Sequence, residues 1–343
     1  MTERTRRVID KITAQAQRVT RRVVLPETDD PRVMDAAREI TAKGYAKVTL
    51  LGERDRLEAR AIRHRLPPIL EGIEVVDPKK DERRDLYLEK LYGLRRAKGL
   101  TREQADILLQ TPVYFGGQLV ADGRADGMVA GSVCPTAETI RAGLWSVGMA
   151  PDCRTVSSCS LMQTSHPEYG VDGALIFADT GVIPEPTAEQ LAEIAIHAGK
   201  ACRALLAVEP RIAMISFSTK GSAQGPAAEL VVEATRLAQA RRPDMYIDGE
   251  LQIDAAIVPE IAARKVGASD VAGKANVLVF PNLSAGNVAY KLVERLGQAL
   301  ALGPLLLGLS KPINDLSRGC SVEDIILISA VTAVQSSFPE ESR

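Results

Sequence analysis

LLLGLSKPINDLSRGCSVEDIILISAVTAV, residues 305–334, opens on an apolar run of strand length at 305–309. A polar loop with Pro312 and Gly319 follows, and Ser321 begins a long apolar segment, ended by Pro339, that reads as the last helix. A strand end feeding a helix N-terminus is where open α/β sheets place their ligands. The free amides of that helix end favour anions. Between the two elements stand Ser317, Arg318 and Asp324: a hydroxyl, a fixed cation and a carboxylate. A plainer reading exists for part of this set. Ser321 with Asp324 three residues on fits a capping box, which contributes on the order of 1 kcal/mol. Arg318, in a Gly/Ser/Asn loop before a buried helix, has no comparable structural task.

Outward from this stretch, strand-like and helix-like runs alternate along almost the whole chain. Residues 23–26, 48–51, 73–76 and 127–130 read as strands, and so do 155–162, 174–177, 211–217, 245–248 and 277–280. Helix starts are marked by Asp30 before Pro31 and by the capping-box pairs Thr101/Gln104 and Thr187/Gln190. A helix over 81–98 stops at Gly99, and another runs to about residue 300. Repeated βα units predict doubly wound α/β architecture, a mostly parallel sheet with helices on both faces. At 343 residues the chain exceeds the size at which one core stops growing, so two domains are expected. Residues 1–150 with 302–343 form the first, which carries the C-terminal strand and helix, and residues 151–301 form the second.

Composition excludes several classes of function. The net charge of −1 does not suit a nucleic-acid binder. Aromatics at 4% leave few stacking platforms for bases. No apolar run approaches the roughly 20 residues that span a bilayer. The five cysteines are odd in number and contain no CxxC, which points to a reducing cytoplasm rather than a disulfide framework. The three histidines, His64, His166 and His197, are scattered, so neither a metal site nor a Ser-His-Asp triad is expected. The Arg-rich opening, residues 1–22, reads as a solvated first helix.

Other polar strand-to-helix junctions could receive a ligand. FSTKGSAQGP, residues 217–226, concentrates Ser218, Thr219, Gly221 and Ser222. Small residues let amides approach an anion, although a tight turn uses the same residues. FPNLSAGNVAYK, residues 280–291, offers Asn282, Ser284, Asn287 and Lys291, with Ser284 as N-cap in the plainer reading. DGELQIDAA, residues 248–256, carries Asp248, Glu250 and Asp254, read as loop acids with Asp254 capping a helix. LYGLRRAKG, residues 91–99, clusters Arg95, Arg96 and Lys98, and TIRAGL places Arg141 on a helix. Such cations serve the helix dipole or a polyphosphate. Polar loops at strand ends, scattered cations and no GxGxxG together suggest a phosphorylated small-molecule substrate.

GSAQGP, DGELQIDAA, VAGKANVLVFPNLSAGNVAYKLVERLG and KPINDLSRGCSVEDI, in this order, resemble the phosphate acetyltransferases of the phosphate acetyl/butyryltransferase family. The resemblance runs from about Arg22 to the C-terminus. It implies the reversible reaction of acetyl-CoA and phosphate to CoA and acetyl phosphate, with coenzyme A as a substrate and no tightly bound cofactor. It also implies a homodimer of chains with two α/β domains, in the arrangement of isocitrate and isopropylmalate dehydrogenases, with a cleft between them. In the family motif the serine and arginine of SRG and a following aspartate line the site; here they fall on Ser317, Arg318 and Asp324. The CoA-contacting arginines fall on Arg95 and Arg141. Cys134-Pro135 and Ala142-Gly143 depart from the usual pattern, which bears on the acyl or CoA pocket. Phosphate butyryltransferase and a non-catalytic acyl-CoA-sensing module are the alternatives.

The resemblance and the residues suggest one mechanism. Asp324 takes the CoA thiol proton, Arg318 grips the phosphoryl group and Ser317 donates to the carbonyl oxygen as charge develops there. Free Asp and thiol acidities oppose the proton transfer by about 6 kcal/mol, so Asp324 is expected partly buried rather than a solvated cap. Cys320 stands beside the site without an adjacent histidine base and is expected to be a bystander rather than an acyl carrier.

Overall fold

The computed structural model describes residues 7–64 and 72–338. In chain order, the first half holds α1 (Arg7–Val19), β1 (Arg22–Leu25), α2 (Pro31–Lys43), β2 (Lys47–Leu51), α3 (Arg54–Arg63), β3 (Glu74–Val76), α4 (Arg84–Arg95), α5 (Arg102–Gln110), α6 (Pro112–Ala121), β4 (Gly127–Ala130) and α7 (Thr136–Leu144). Next come β5 (Ser157–Gln163), β6 (Ala174–Ala178), α8 (Ala188–Leu206), β7 (Arg211–Ile215), α9 (Pro226–Arg241), β8 (Tyr246–Leu251), α10 (Ile253–Ile257), α11 (Pro259–Lys265), β9 (Val277–Val279), α12 (Leu283–Arg295) and β10 (Leu300–Leu307). β11 (Ile313–Asp315) and α13 (Val322–Ser336) close the chain. The contacts divide into two compact units: a split unit of Ile12–Pro151 and Leu309–Phe338, and an inserted unit built on Asp152–Gly308.

The split unit carries a sheet in the order β11-β4-β1-β2-β3, parallel throughout. Val23, Val24 and Leu25 of β1 are buried, as are Met128, Val129 and Ala130 of β4, so helices cover both faces, as parallel sheets require. α2 packs against α13, which lies on β1 and β4, while α6 packs on the same two strands and α7 packs on α6 and β11. Local chemistry sets the helix ends. Asp30 caps α2 by accepting from the Arg32 amide, and Gly44 closes it in the left-handed conformation. Thr101 and Gln104 form a complete capping box on α5.

The inserted unit's sheet runs β10-β5-β6-β9-β7-β8. Its β6-β9-β7-β8 half is parallel, whereas β10-β5-β6 is antiparallel. The apolar run at 305–309 was expected to serve the C-terminal domain strand. It instead ends β10, which pairs antiparallel with β5 in the inserted unit. The strand that enters the split unit is the short β11, parallel to β4. The residues that end β10 are apolar and buried, whereas β11, Ile313–Asp315, is buried although Asn314 and Asp315 are polar, and apolarity alone does not say which sheet a strand joins. The helix expected to reach residue 300 ends as α12 at Arg295, and Leu300 already belongs to β10. Thr187 and Gln190 box the start of α8. Among the described residues, no helix is long and apolar enough to cross a membrane.

Candidate active site

β11 brings the SRG loop to the edge of the split unit's sheet. Its register with β4 sets Asp315 beside Ala130, and the Leu316 amide donates to the Ala130 carbonyl at 2.7 Å. The chain then turns outward: Ser317, Arg318 and Gly319 are exposed, and Cys320 is buried again. The Cys320 amide closes the turn on the Ser317 carbonyl at 2.9 Å, and the Ser317 Oγ accepts from the Gly319 amide at 3.3 Å. Arg318 Nη1 donates to the Cys134 carbonyl at 3.2 Å and approaches Thr136 Oγ1 at 3.5 Å.

Asp324 occupies the first turn of α13 and is half-buried. Its Oδ2 accepts from the Ser321 amide at 2.7 Å and from Ser321 Oγ at 2.9 Å. Ser321 Oγ in turn accepts from the Asp324 amide at 3.1 Å. The capping box is therefore present, and it presents the carboxylate in one orientation beside the helix N-terminus.

Two residues that sequence reasoning missed hold this loop in place. Glu27, just beyond β1, is 8% exposed. Its Oε2 accepts from the amides of Gly131 at 2.7 Å and Ser132 at 2.8 Å, and from Ser132 Oγ at 3.0 Å. Its Oε1 accepts from the amides of Val133 at 3.1 Å and Cys134 at 2.6 Å. One carboxylate thus folds the loop after β4 around itself and fixes the Cys134 carbonyl that receives Arg318. Arg32 ties the other side: Nη1 donates to the carbonyls of Arg318 at 3.0 Å and Cys320 at 2.6 Å, and Nη2 to that of Ser132 at 3.3 Å. Asp30 pairs with Arg32 at 2.6 Å. The only signal in the sequence was an acidic run, Glu27 to Asp30, at a strand end.

Asp315, 1% exposed, sits beneath the loop and accepts from Thr136 Oγ1 at 2.6 Å. Burial pushes its carboxyl up to about 6, against the pull of Thr136, Thr139 and the Arg318 charge. Gly131 lies above it with φ +104°, where a Cβ would stand 2.3 Å from Asp315 Oδ1, so only glycine lets the backbone pass. Burial likewise pushes the Cys320 thiol up to about 11, despite Arg32. A thiol so raised is a poor nucleophile at neutral pH.

The two arginines assigned to CoA converge on one aromatic pair. The Arg95 guanidinium stacks 4.3 Å over the Trp145 ring, and Trp145 lies 6.1 Å from Tyr114. Burial raises the pKa of the Tyr114 hydroxyl, and Arg141, exposed at the end of α7, draws it back. Arg96 is exposed in a single helical turn closed by Gly99.

The remaining candidates lie in the inserted unit. Ser218, Thr219, Gly221 and Ser222 are engaged within their own loop. Ser218 Oγ donates to Glu250 Oε1 at 2.9 Å, and so does the Gly221 amide at 2.7 Å. Ser222 Oγ accepts from the Thr219 amide at 2.9 Å, and Thr219 Oγ1 accepts from that of Gln252 at 2.9 Å. Asp248 pairs with Lys220. The tight-turn reading describes this loop. Asn282, not Ser284, caps α12 by accepting from the Ala285 amide at 3.0 Å. Ser284 is exposed. Asn287 donates to the Thr180 carbonyl at 3.2 Å, and exposed Lys291 lies 5.4 Å over the Tyr290 ring. Asp254 is in the first turn of α10, whose N-cap is Gln252.

An arginine, a hydroxyl and a carboxylate thus stand at one strand-to-helix junction of an α/β sheet, a setting whose chemistry suits an anionic ligand. The family described as "Phosphate acetyl/butaryl transferase" matches residues 7–333. The phosphate acetyltransferase of Acetivibrio thermocellus is 46% identical over 330 residues, which is 96% of this chain and 98% of the relative. A phosphotransacetylase from Streptococcus pyogenes superposes with a TM-score of 0.89 at 38% identity, over 98% of this chain and 99% of its own. The EutD phosphotransacetylase from Staphylococcus aureus gives 0.87 at 37%, over 97% and 99%. The chain belongs to the phosphate acetyl/butyryl transferase family, and it is an acyltransferase.

Proposed function

We propose that the chain catalyses reversible acetyl transfer between coenzyme A and inorganic phosphate, as its relatives' names describe. The observation that carries this reading is Arg318: an exposed guanidinium, anchored by the Cys134 carbonyl, beside Ser317 at the N-terminus of α13. Guanidinium pairs bidentately with phosphate oxygens, and the helix amides add to its grip. In the direction of acetyl-CoA formation, Asp324 accepts the thiol proton of CoA. Ser321 holds Oδ2, so Oδ1 is the oxygen that turns to the thiol. The thiolate attacks the acetyl carbon, and Ser317 donates to the oxyanion. The C–O bond to phosphate then breaks, and phosphate leaves on Arg318. Arg95 and Arg141, flanking Trp145 and Tyr114, suit the phosphates and adenine of CoA. Cys320 takes no covalent part, in keeping with its burial and its raised thiol pKa.

The chain acts as a homodimer in this reading. Val288, Leu292 and Leu296, four residues apart along α12 and its end, are 55%, 51% and 80% exposed. Leu292 and Leu296 border an apolar hollow lined also by Tyr169, Phe280 and Val293. Five free cysteines suit a reducing cytoplasm.

Phosphate-dependent release of free thiol from acetyl-CoA tests the function, and butyryl-CoA in the same assay tests the alternative acyl chain. Asp324→Asn should lower kcat by orders of magnitude with an unchanged unfolding profile. Near-normal turnover would dismiss Asp324 as the base.

A further inference from the structure

The inserted unit brings together three side chains that no acyl-transfer step uses. Glu193 and His197 lie one turn apart on α8, so they share a face. They are 6% and 3% exposed in an alanine-rich helix. Cys153, half-buried in the segment before β5, meets them: its Sγ lies 3.0 Å from His197 Nε2. Glu193 Oε1 lies 3.7 Å from the same nitrogen. All three donor atoms fall within 4.8 Å of one another. The Arg154 amide donates to Glu193 Oε1 at 2.5 Å, which fixes the Cys153 segment against the helix.

Burying a carboxylate and an imidazole side by side is costly unless both are satisfied. Here His197 Nε2 faces a thiol, a weak donor. A cation between the three atoms would use them all. Zinc bond lengths of about 2.0–2.3 Å to N, O and S set tetrahedral ligand atoms about 3.3–3.5 Å apart. The observed 3.0 Å and 3.7 Å straddle that spacing, so small side-chain adjustments suffice. Thiolate with imidazole selects zinc-like ions over magnesium or calcium.

We infer that Cys153, Glu193 and His197 form a divalent-metal site of the zinc class, with its fourth position open on the partly exposed Cys153 side. The ion would staple the lead-in to β5 onto α8. Sequence spacing conceals the site, because only the Glu-x-x-x-His pair is local and the cysteine stands forty residues earlier.

Cobalt(II) reports on the site directly. The full-length chain, stripped with chelator and kept reduced, is titrated with Co²⁺. Binding should saturate at one ion per chain, with a thiolate-to-cobalt charge-transfer band that Zn²⁺ abolishes. Cys153→Ser should remove that band while leaving phosphate-dependent thiol release unchanged, and Cys320→Ser should keep it. Glu193→Gln should weaken Co²⁺ binding on the order of tenfold or more, in line with losses at metal sites. His197→Gln should abolish Co²⁺ binding at this site; His197 is buried, and where that variant does not fold, Glu193→Gln carries the test. Absence of the band in the folded parent chain, or its survival in Cys153→Ser, overturns the assignment.

Discussion

Arg318 acts through its shape as well as its charge. It reaches the Cys134 carbonyl and Thr136 Oγ1 from a single nitrogen, which leaves the rest of the fork to meet phosphate oxygens. Lysine offers a point charge on a flexible stem and cannot do both. Arg318→Lys should therefore lower kcat/KM about 100-fold, with a raised KM for phosphate, because a bidentate charge-assisted pair is lost. Wild-type steady-state kinetics in the thiol-release assay would refute the grip.

Asp315 makes a prediction about pH at the same scale. Its folded pKa is raised from 3.8 to about 6, chiefly by burial. Below pH 4 both folded and unfolded states hold the proton, and its stabilising contribution is complete. Between about 4 and 6 the unfolded state ionises first, so stability falls as pH rises through this window. The loss amounts to about 3 kcal/mol. Asp315→Asn keeps an acceptor for Thr136 but cannot ionise. It should flatten stability across pH 4–6 and raise it at pH 7, measured by denaturant unfolding at each pH. An unchanged pH profile would show that Asp315 does not titrate there.

At the scale of elements, the loop after β4 is organised by Glu27 more than by its own sequence. Four amides, those of Gly131, Ser132, Val133 and Cys134, converge on its two oxygens. Glu27→Ala would strand them and release the carbonyl that anchors Arg318. A loss on the order of 3 kcal/mol in unfolding free energy is expected, with reduced activity; an unchanged midpoint and m-value would show the loop holds itself. This contrast explains what was legible in advance. Capping boxes on α5, α8 and α13 could be read because each is a local pair of residues three apart. Ser317, Arg318 and Asp324 share one short stretch and so stood out together. Glu27 and Arg32 act across about a hundred and nearly three hundred residues, and no local pattern encodes a partner so distant. The placement of β10 failed for the same reason: its partner β5 is chosen by tertiary packing.

For the molecule as a whole, Val288, Leu292 and Leu296 leave an apolar stripe exposed along α12 and its end. Scattered exposed apolar residues are ordinary, whereas a contiguous row beside an apolar hollow marks an interaction surface. Leu296 is 80% exposed at the rim of that hollow, so a charge there meets water in a monomer and apolar surface in a dimer. Leu296→Glu should leave the fold and the SRG loop of the other unit intact while shifting the chain toward monomer. Light scattering coupled to size exclusion reads the mass, and circular dichroism checks the fold. If the dimer persists undiminished, α12 lies outside the interface. If the parent chain is itself a monomer at micromolar concentration, the homodimer reading fails, while the acyl-transfer chemistry, which rests on residues of the split unit, stands on its own assay.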